Sequence, residues 1–154
     1  MARASAAVVT GAADDVEEIV RDARREHLAD LLAFVDRACA RAGLDRELAF
    51  DVKLATEEVV TNVIDHGYVG MSPGPVTVRF RREPAQVTVT VEDLARTFDP
   101  IDAPRPVVSA PIDERRIGGL GWHLVSQVMD EVRHEPRSPH GNRLTLVKRI
   151  PSTH

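Results

Sequence analysis

From Glu26 the apolar residues Leu28, Leu31, Leu32, Val35 and Ala38 recur at spacings of three and four, which predicts an amphipathic helix. Gly43 follows where a helix would take its C-terminal cap, and Asp45 stands where the next would take its N-cap. A second helix is then predicted through Leu48, Val52, Ala55, Val59 and Val63, ending at Gly67. Upstream, Val16 to Arg24 reads either as one strand with Ile19 inward or as the start of a helix. Residues 1–15 are Ala-rich and weakly patterned, so a flexible N-terminal segment is expected there, with a single domain over 16–154.

After the Gly- and Pro-rich turn GYVGMSPGP the period falls to two. Val76, Val78 and Phe80 alternate with Thr77 and Arg79, and Val87, Val89 and Val91 alternate with Thr88, Thr90 and Glu92. The short connector RREPA makes these runs antiparallel neighbours with one apolar face each. Pro100, Pro104, Pro106 and Pro111 then argue against a regular element over 99–117, and an irregular loop of that length in a compact domain is usually functional. A third helix through Leu124, Val125, Val128 and Met129 and a closing hairpin, EVRHE and NRLTLVKRI around RSPHGN, complete the chain. This order implies an α+β fold, a two-layer sandwich with helices on one face of a mixed, largely antiparallel sheet.

Composition narrows the chemistry. With 154 residues, 43% of them hydrophobic, the chain is long enough for one packed core. A net charge of -4 argues against general nucleic-acid binding, although all basic residues except Lys53 and Lys148 are arginines. The single cysteine, Cys39, leaves no internal disulfide, and it lies on the apolar face of the first predicted helix as a small hydrophobe. No apolar run approaches a membrane span and no secretory leader is recognisable, so a cytoplasmic protein away from the membrane is expected. The six histidines show no metal-binding spacing. His27, His134, His140 and His154 read as surface residues, and His123 as helical packing or surface. No G-x-x-x-x-G-K-[ST] loop occurs.

Three stretches carry candidate chemistry. On the second helix Glu58, Asn62 and His66 fall at i, i+4 and i+8, one row beside the apolar stripe. An amide oxygen there suits Mg²⁺ and a carboxylate suits activation of a hydroxyl or water, although a half-exposed helix edge gives the same pattern. In VEDLARTFDP a strand runs into an acidic turn at Asp93, which could accept a hydrogen bond from a ligand amine or could simply be turn chemistry. In RRIGGLGWHLV a Gly-rich segment opens a helix, presenting unpaired N–H groups that favour phosphate, with Arg115 and Arg116 just upstream.

In combination, E-E-x-x-x-N-x-x-x-H-G-Y, then D-x-x-x-x-F-D-P after a strand, then G-G-x-G-x-x-L at a helix start, resembles the GHKL (Bergerat-fold) ATP-binding domains. Among these it is most similar to the stand-alone anti-sigma factor serine/threonine kinases, over residues 16–150. The resemblance implies Glu58 as the catalytic carboxylate, Asn62 as the Mg²⁺ ligand and Asp93 as the acceptor for the adenine amino group. Gly118, Gly119, Leu120 and Gly121 would form the phosphate-side turn beneath a mobile lid at 101–117. His66, Ala95, Phe98, Arg115 and Arg116 would complete the ATP site. The implied partners are a sigma factor and an anti-anti-sigma factor, and family members often act as homodimers. Ala95 and Thr97 stand where the family pattern has glycines. A positive φ at Ala95 would carry a strain of roughly 1–2 kcal/mol, so the alternative expectation is a partner-sequestering regulator with weak nucleotide binding or none.

Overall fold

The computed structural model describes residues 7–10, 15–97 and 119–152. Its strands are β1 (Ala7–Thr10), β2 (Asp15–Asp22), β3 (Pro75–Glu83), β4 (Gln86–Asp93), β5 (Glu131–Pro136) and β6 (Asn142–Arg149). The helices are α1 (Leu28–Arg41), α2 (Arg46–Asn62) and α3 (Gly119–Val128), with a 3₁₀ turn at Arg25–His27 and a π turn at Val63–Gly67. The strands form one six-stranded sheet in the order β1-β2-β3-β4-β6-β5. Each described pairing is antiparallel, so the expected α+β sandwich stands but its sheet is not mixed.

Period-two patterning decides which face is buried. Ile19, Val78, Val91 and Leu144 lie opposite one another across four strands, and Phe80, Val89 and Leu146 form the next row. These side chains are buried beneath Leu31, Phe34, Val35 and Ala38 of α1 and Val52, Ala55, Val59 and Val60 of α2. Each such side chain contributes about 1.5–3 kcal/mol by leaving water, which is why the apolar stripes dictate the layering. Cys39 is part of this core, and burial, with the nearby Asp36 charge, pushes its thiol up to about 12.

The helix ends follow local chemistry. Asp45 Oδ1 accepts from the Leu48 N–H at 2.8 Å, the expected cap of α2. Gly43, after α1, has φ +75°, a conformation that only glycine adopts without strain. The helical pattern read from Glu26 begins instead with the 3₁₀ turn, and α1 proper starts at Leu28. Val16 resolves as strand, and Ala7–Thr10 pairs with it as an additional strand within the expected N-terminal segment. On the open face of the sheet Glu92 is 3% exposed and is surrounded by the guanidinium groups of Arg79, Arg137 and Arg143. That arrangement supplies the opposite charge a buried carboxylate requires.

Candidate functional site

Glu58 and Asn62 sit one turn apart on α2, both half-buried at the edge of the apolar stripe. Burial raises the Glu58 carboxyl above the ordinary range, and the adjacent Glu57 charge adds to the shift. A carboxylate tuned in that direction is a better proton acceptor near neutral pH. His66 falls in the π turn, where i+4 neighbours no longer stack in line, and it is exposed.

The end of this helix is tied directly to the second stretch. A Cβ built at Gly67 would lie 3.4 Å from Ala95 Cβ, so the absence of a side chain lets the two segments meet closely. Tyr68 is buried, and its hydroxyl accepts from the Leu94 N–H at 2.8 Å while donating to the Pro75 carbonyl at 2.7 Å. Gly74 leaves the Tyr68 ring its space, since a Cβ there would come within 2.7 Å of the ring edge.

Asp93 ends β4 and is 2% exposed. Its Oδ1 accepts from the Ala95 N–H at 2.9 Å and from Asn142 Nδ2 at 3.0 Å. Burial raises the Asp93 carboxyl above its ordinary value. The hydrogen bonds from Asn142 and Ala95, and the nearby His134 and Arg137, pull in the opposite direction. Both bonds fall on Oδ1, which leaves Oδ2 to receive a donor from a ligand. A carboxylate oxygen so placed can accept from an N–H or O–H donor.

Asn142 opens β6 directly opposite Asp93 in the register. It is 1% exposed, and Nδ2 also donates to the Arg96 carbonyl at 3.0 Å while Oδ1 faces His134 Nε2 at 2.8 Å. Gly141 precedes it with φ +123°, and a Cβ there would come within 2.5 Å of the Asp93 carbonyl oxygen. The Thr97 hydroxyl donates to the Gly141 carbonyl at 3.1 Å and is 3.2 Å from the Gly141 N–H as acceptor. These contacts alter the reading of the two replaced glycines. No described non-glycine residue has positive φ, so Ala95 carries no left-handed strain, and its methyl group is fully buried. Thr97 supplies bonds to the β5–β6 turn that glycine could not make.

Gly119, Leu120 and Gly121 form the first turn of α3, whose leading N–H groups have no intrahelical acceptor. Val125 anchors this helix in the core. Lys148 holds its far end, donating to the Val128 carbonyl at 2.6 Å and pairing with Asp51 of α2 at 3.0 Å. Phe98, Gly118, Arg115, Arg116 and the lid expected at 101–117 lie outside the described residues. Among the described residues no three His, Cys, Asp or Glu side chains converge on a common point. The Asn62 amide oxygen is a donor of the kind Mg²⁺ accepts beside phosphate and water oxygens.

Sequence reasoning missed Asn142 and His134, the latter expected at the surface, and assigned no role to Tyr68 or Gly141. The one local signal was the HGN turn entering a strand, whose partners lie far away in the chain.

Three helices over one face of an antiparallel sheet make an α+β two-layer domain, with a buried carboxylate ending an inner strand and a Glu/Asn row on the adjoining helix. Residues 22–148 match the family of the histidine kinase-like ATPase domain, and the chain belongs to that family. It is 32% identical to the serine-protein kinase RsbW of Listeria innocua over 98 residues, 61% of this chain and 62% of that protein. The alignment thus spans less than two thirds of that relative's length. RsbW of Bacillus licheniformis is 28% identical over 125 residues, 79% of this chain and 78% of that protein. The anti-sigma F factor of Clostridium novyi is 32% identical over 103 residues, 66% of this chain and 71% of that protein. The histidine kinase domain of the blue-light activated kinase EL346 from Erythrobacter litoralis superposes with a TM-score of 0.54 at 19% identity. That match covers 80% of this chain and 59% of that one, and the likeness is one of fold.

Proposed function

We propose that this chain is an ATP-dependent serine/threonine protein kinase of the cytoplasm that binds a sigma factor and phosphorylates an anti-anti-sigma partner. The observation that carries the reading is Asp93, buried at a strand end with both of its described hydrogen bonds on Oδ1, which supports Oδ2 as the acceptor for a ligand donor. The names of the relatives, serine-protein kinase and anti-sigma factor, support the choice of reaction and partners.

In this reading Asp93 takes the amino group of adenine, Asn62 Oδ1 holds Mg²⁺, and the first turn of α3 lies on the phosphate side. Bound Mg-ATP supplies the phosphoryl group and much of the charge neutralisation that such transfers need. Glu58 accepts the proton of the acceptor hydroxyl as that oxygen bonds to phosphorus and the bond to the ADP oxygen breaks. Its raised pKa suits it to hold that proton.

The test is calorimetric titration of the full chain with ATP, with and without Mg²⁺, beside Asn62→Ala, followed by transfer of labelled phosphate to an anti-anti-sigma protein. Mg²⁺-dependent binding and transfer reduced by about 100-fold or more in Asn62→Ala are expected, the scale of losing one group that stabilises transition-state charge. Full transfer in Asn62→Ala would remove the Mg²⁺ role. Sequestration of a sigma factor with no transfer by the wild type would leave the non-catalytic regulator as the function.

A further inference from the structure

Asn142 has one orientation available. Its two amide hydrogens are directed to Asp93 Oδ1 at 3.0 Å and to the Arg96 carbonyl at 3.0 Å, so turning the amide over would set its oxygen against two acceptors. With Nδ2 so placed, Oδ1 meets His134 Nε2 at 2.8 Å, and because that oxygen can only accept, Nε2 must carry the hydrogen. The β4–β6 and β5–β6 registers put these groups side by side. Asn142 lies opposite Asp93 on one side, and His134 lies opposite Leu144, two residues further along β6, on the other. The outcome is a directional series of donors, from His134 to Asn142 to Asp93.

We infer that Asn142 and His134 determine base selectivity: by fixing Asp93 Oδ1 as the internal acceptor, they hold Oδ2 as an acceptor for a 6-amino group and against a 6-oxo group. Asn142 and His134 are positioning residues that act through Asp93, and the inference rests on the reading of Asp93 as the base acceptor. A 6-oxopurine would bring its carbonyl oxygen up to a carboxylate that has no hydrogen to offer. Without the Asn142 donor, Oδ1 keeps only the Ala95 N–H, and the carboxylate loses the leading hydrogen bond that opposes the effect of burial. It is then held less firmly and is more readily protonated, in which form it can donate to the 6-oxo oxygen.

The test compares Mg-ATP with Mg-ITP, which differ where the base meets Asp93, by calorimetric titration of the full chain. Wild type, Asn142→Leu, His134→Leu and His134→Gln are measured, with thermal unfolding as the check on folding. Wild type is expected to prefer ATP by about 10- to 100-fold, the range for a hydrogen bond to a charged acceptor. That ratio should contract by about 5-fold or more in Asn142→Leu and in His134→Leu, and return in His134→Gln, whose amide can again donate to Asn142. A purely structural role would weaken both nucleotides together and leave the ratio unchanged, as measured in either Leu variant that folds, and that result overturns the inference. Wild type that binds neither nucleotide, or both equally, instead removes the reading of Asp93 on which the inference stands.

Discussion

Replacing Tyr68 by Phe deletes one oxygen and leaves the ring, so its effect isolates the tie between the end of α2 and the second motif. In the native protein that oxygen accepts from the Leu94 N–H at 2.8 Å and donates to the Pro75 carbonyl at 2.7 Å. Each hydrogen bond contributes about 0.5–1.5 kcal/mol net, and both backbone groups are left partly buried without their partner. The sum is about 2 kcal/mol. Because the ring fills its place against Gly74, packing is retained and no cavity term is added. For a chain of 154 residues the expected fall in Tm is about 4–8 °C. Urea unfolding should show a lower midpoint with an unchanged m value, the mark of a stability change without a change in exposed area. Leu94 follows Asp93 directly, so loosening its N–H should also weaken Mg-ATP by about 3- to 10-fold, roughly 0.7–1.4 kcal/mol of lost positioning. A stability loss below about 0.5 kcal/mol would refute the accounting. Normal nucleotide affinity in a clearly destabilised variant would show that the tie supports the fold alone.

The other predictions concern the same assembly. Ala95→Gly should lower stability by about 0.5–1.5 kcal/mol in denaturant unfolding and give no gain in ATP affinity by calorimetry. The methyl group is buried and the backbone there is unstrained. Asp93→Asn should weaken ATP by about 10- to 100-fold in calorimetry, because its amide would direct a donor at the base amino group. The folded state holds the Asp93 proton more tightly than the unfolded chain does. Wild type should therefore lose stability relative to Asp93→Asn as pH rises from the ordinary aspartate range through the raised folded value, and the difference should level off above it. Denaturant unfolding of both proteins across that range measures it. Lys148→Met should cost about 1–2 kcal/mol, between exposed and buried ion pairs, and should speed amide exchange in the last turn of α3.

What the sequence disclosed was what local chemistry dictates. Asp45 as a cap, Gly43 after α1, the alternation of Val87, Val89 and Val91, and the Glu58–Asn62 spacing all express constraints acting within a few residues. Ala7–Thr10 escaped notice because an edge strand is held by backbone pairing with β2, which a short Ala/Val stretch does not announce. The π turn removed His66 from its row, since helical periodicity assumes a uniform turn. The largest omission, Asn142 with His134, depends on strand registers that bring together residues 49 positions apart. The surroundings of Ala95 and Thr97 were illegible for the same reason: they include Gly67 and Gly141, and neither is close in the chain.

The opposition of Asp93 and Asn142 across β4 and β6 bears on when the site comes into being. A growing chain has made α2, β3 and β4, with most of the core's apolar face, well before β6 is synthesised. Until that strand docks in register, the Asp93 carboxylate lacks the amide that orients it, and a slip of one residue would place Gly141 or Arg143 there instead. On the proposed reading of Asp93, the base acceptor is complete only once β6 has paired with β4. On that same reading, a nucleotide that binds only the closed sheet stabilises the finished register by mass action.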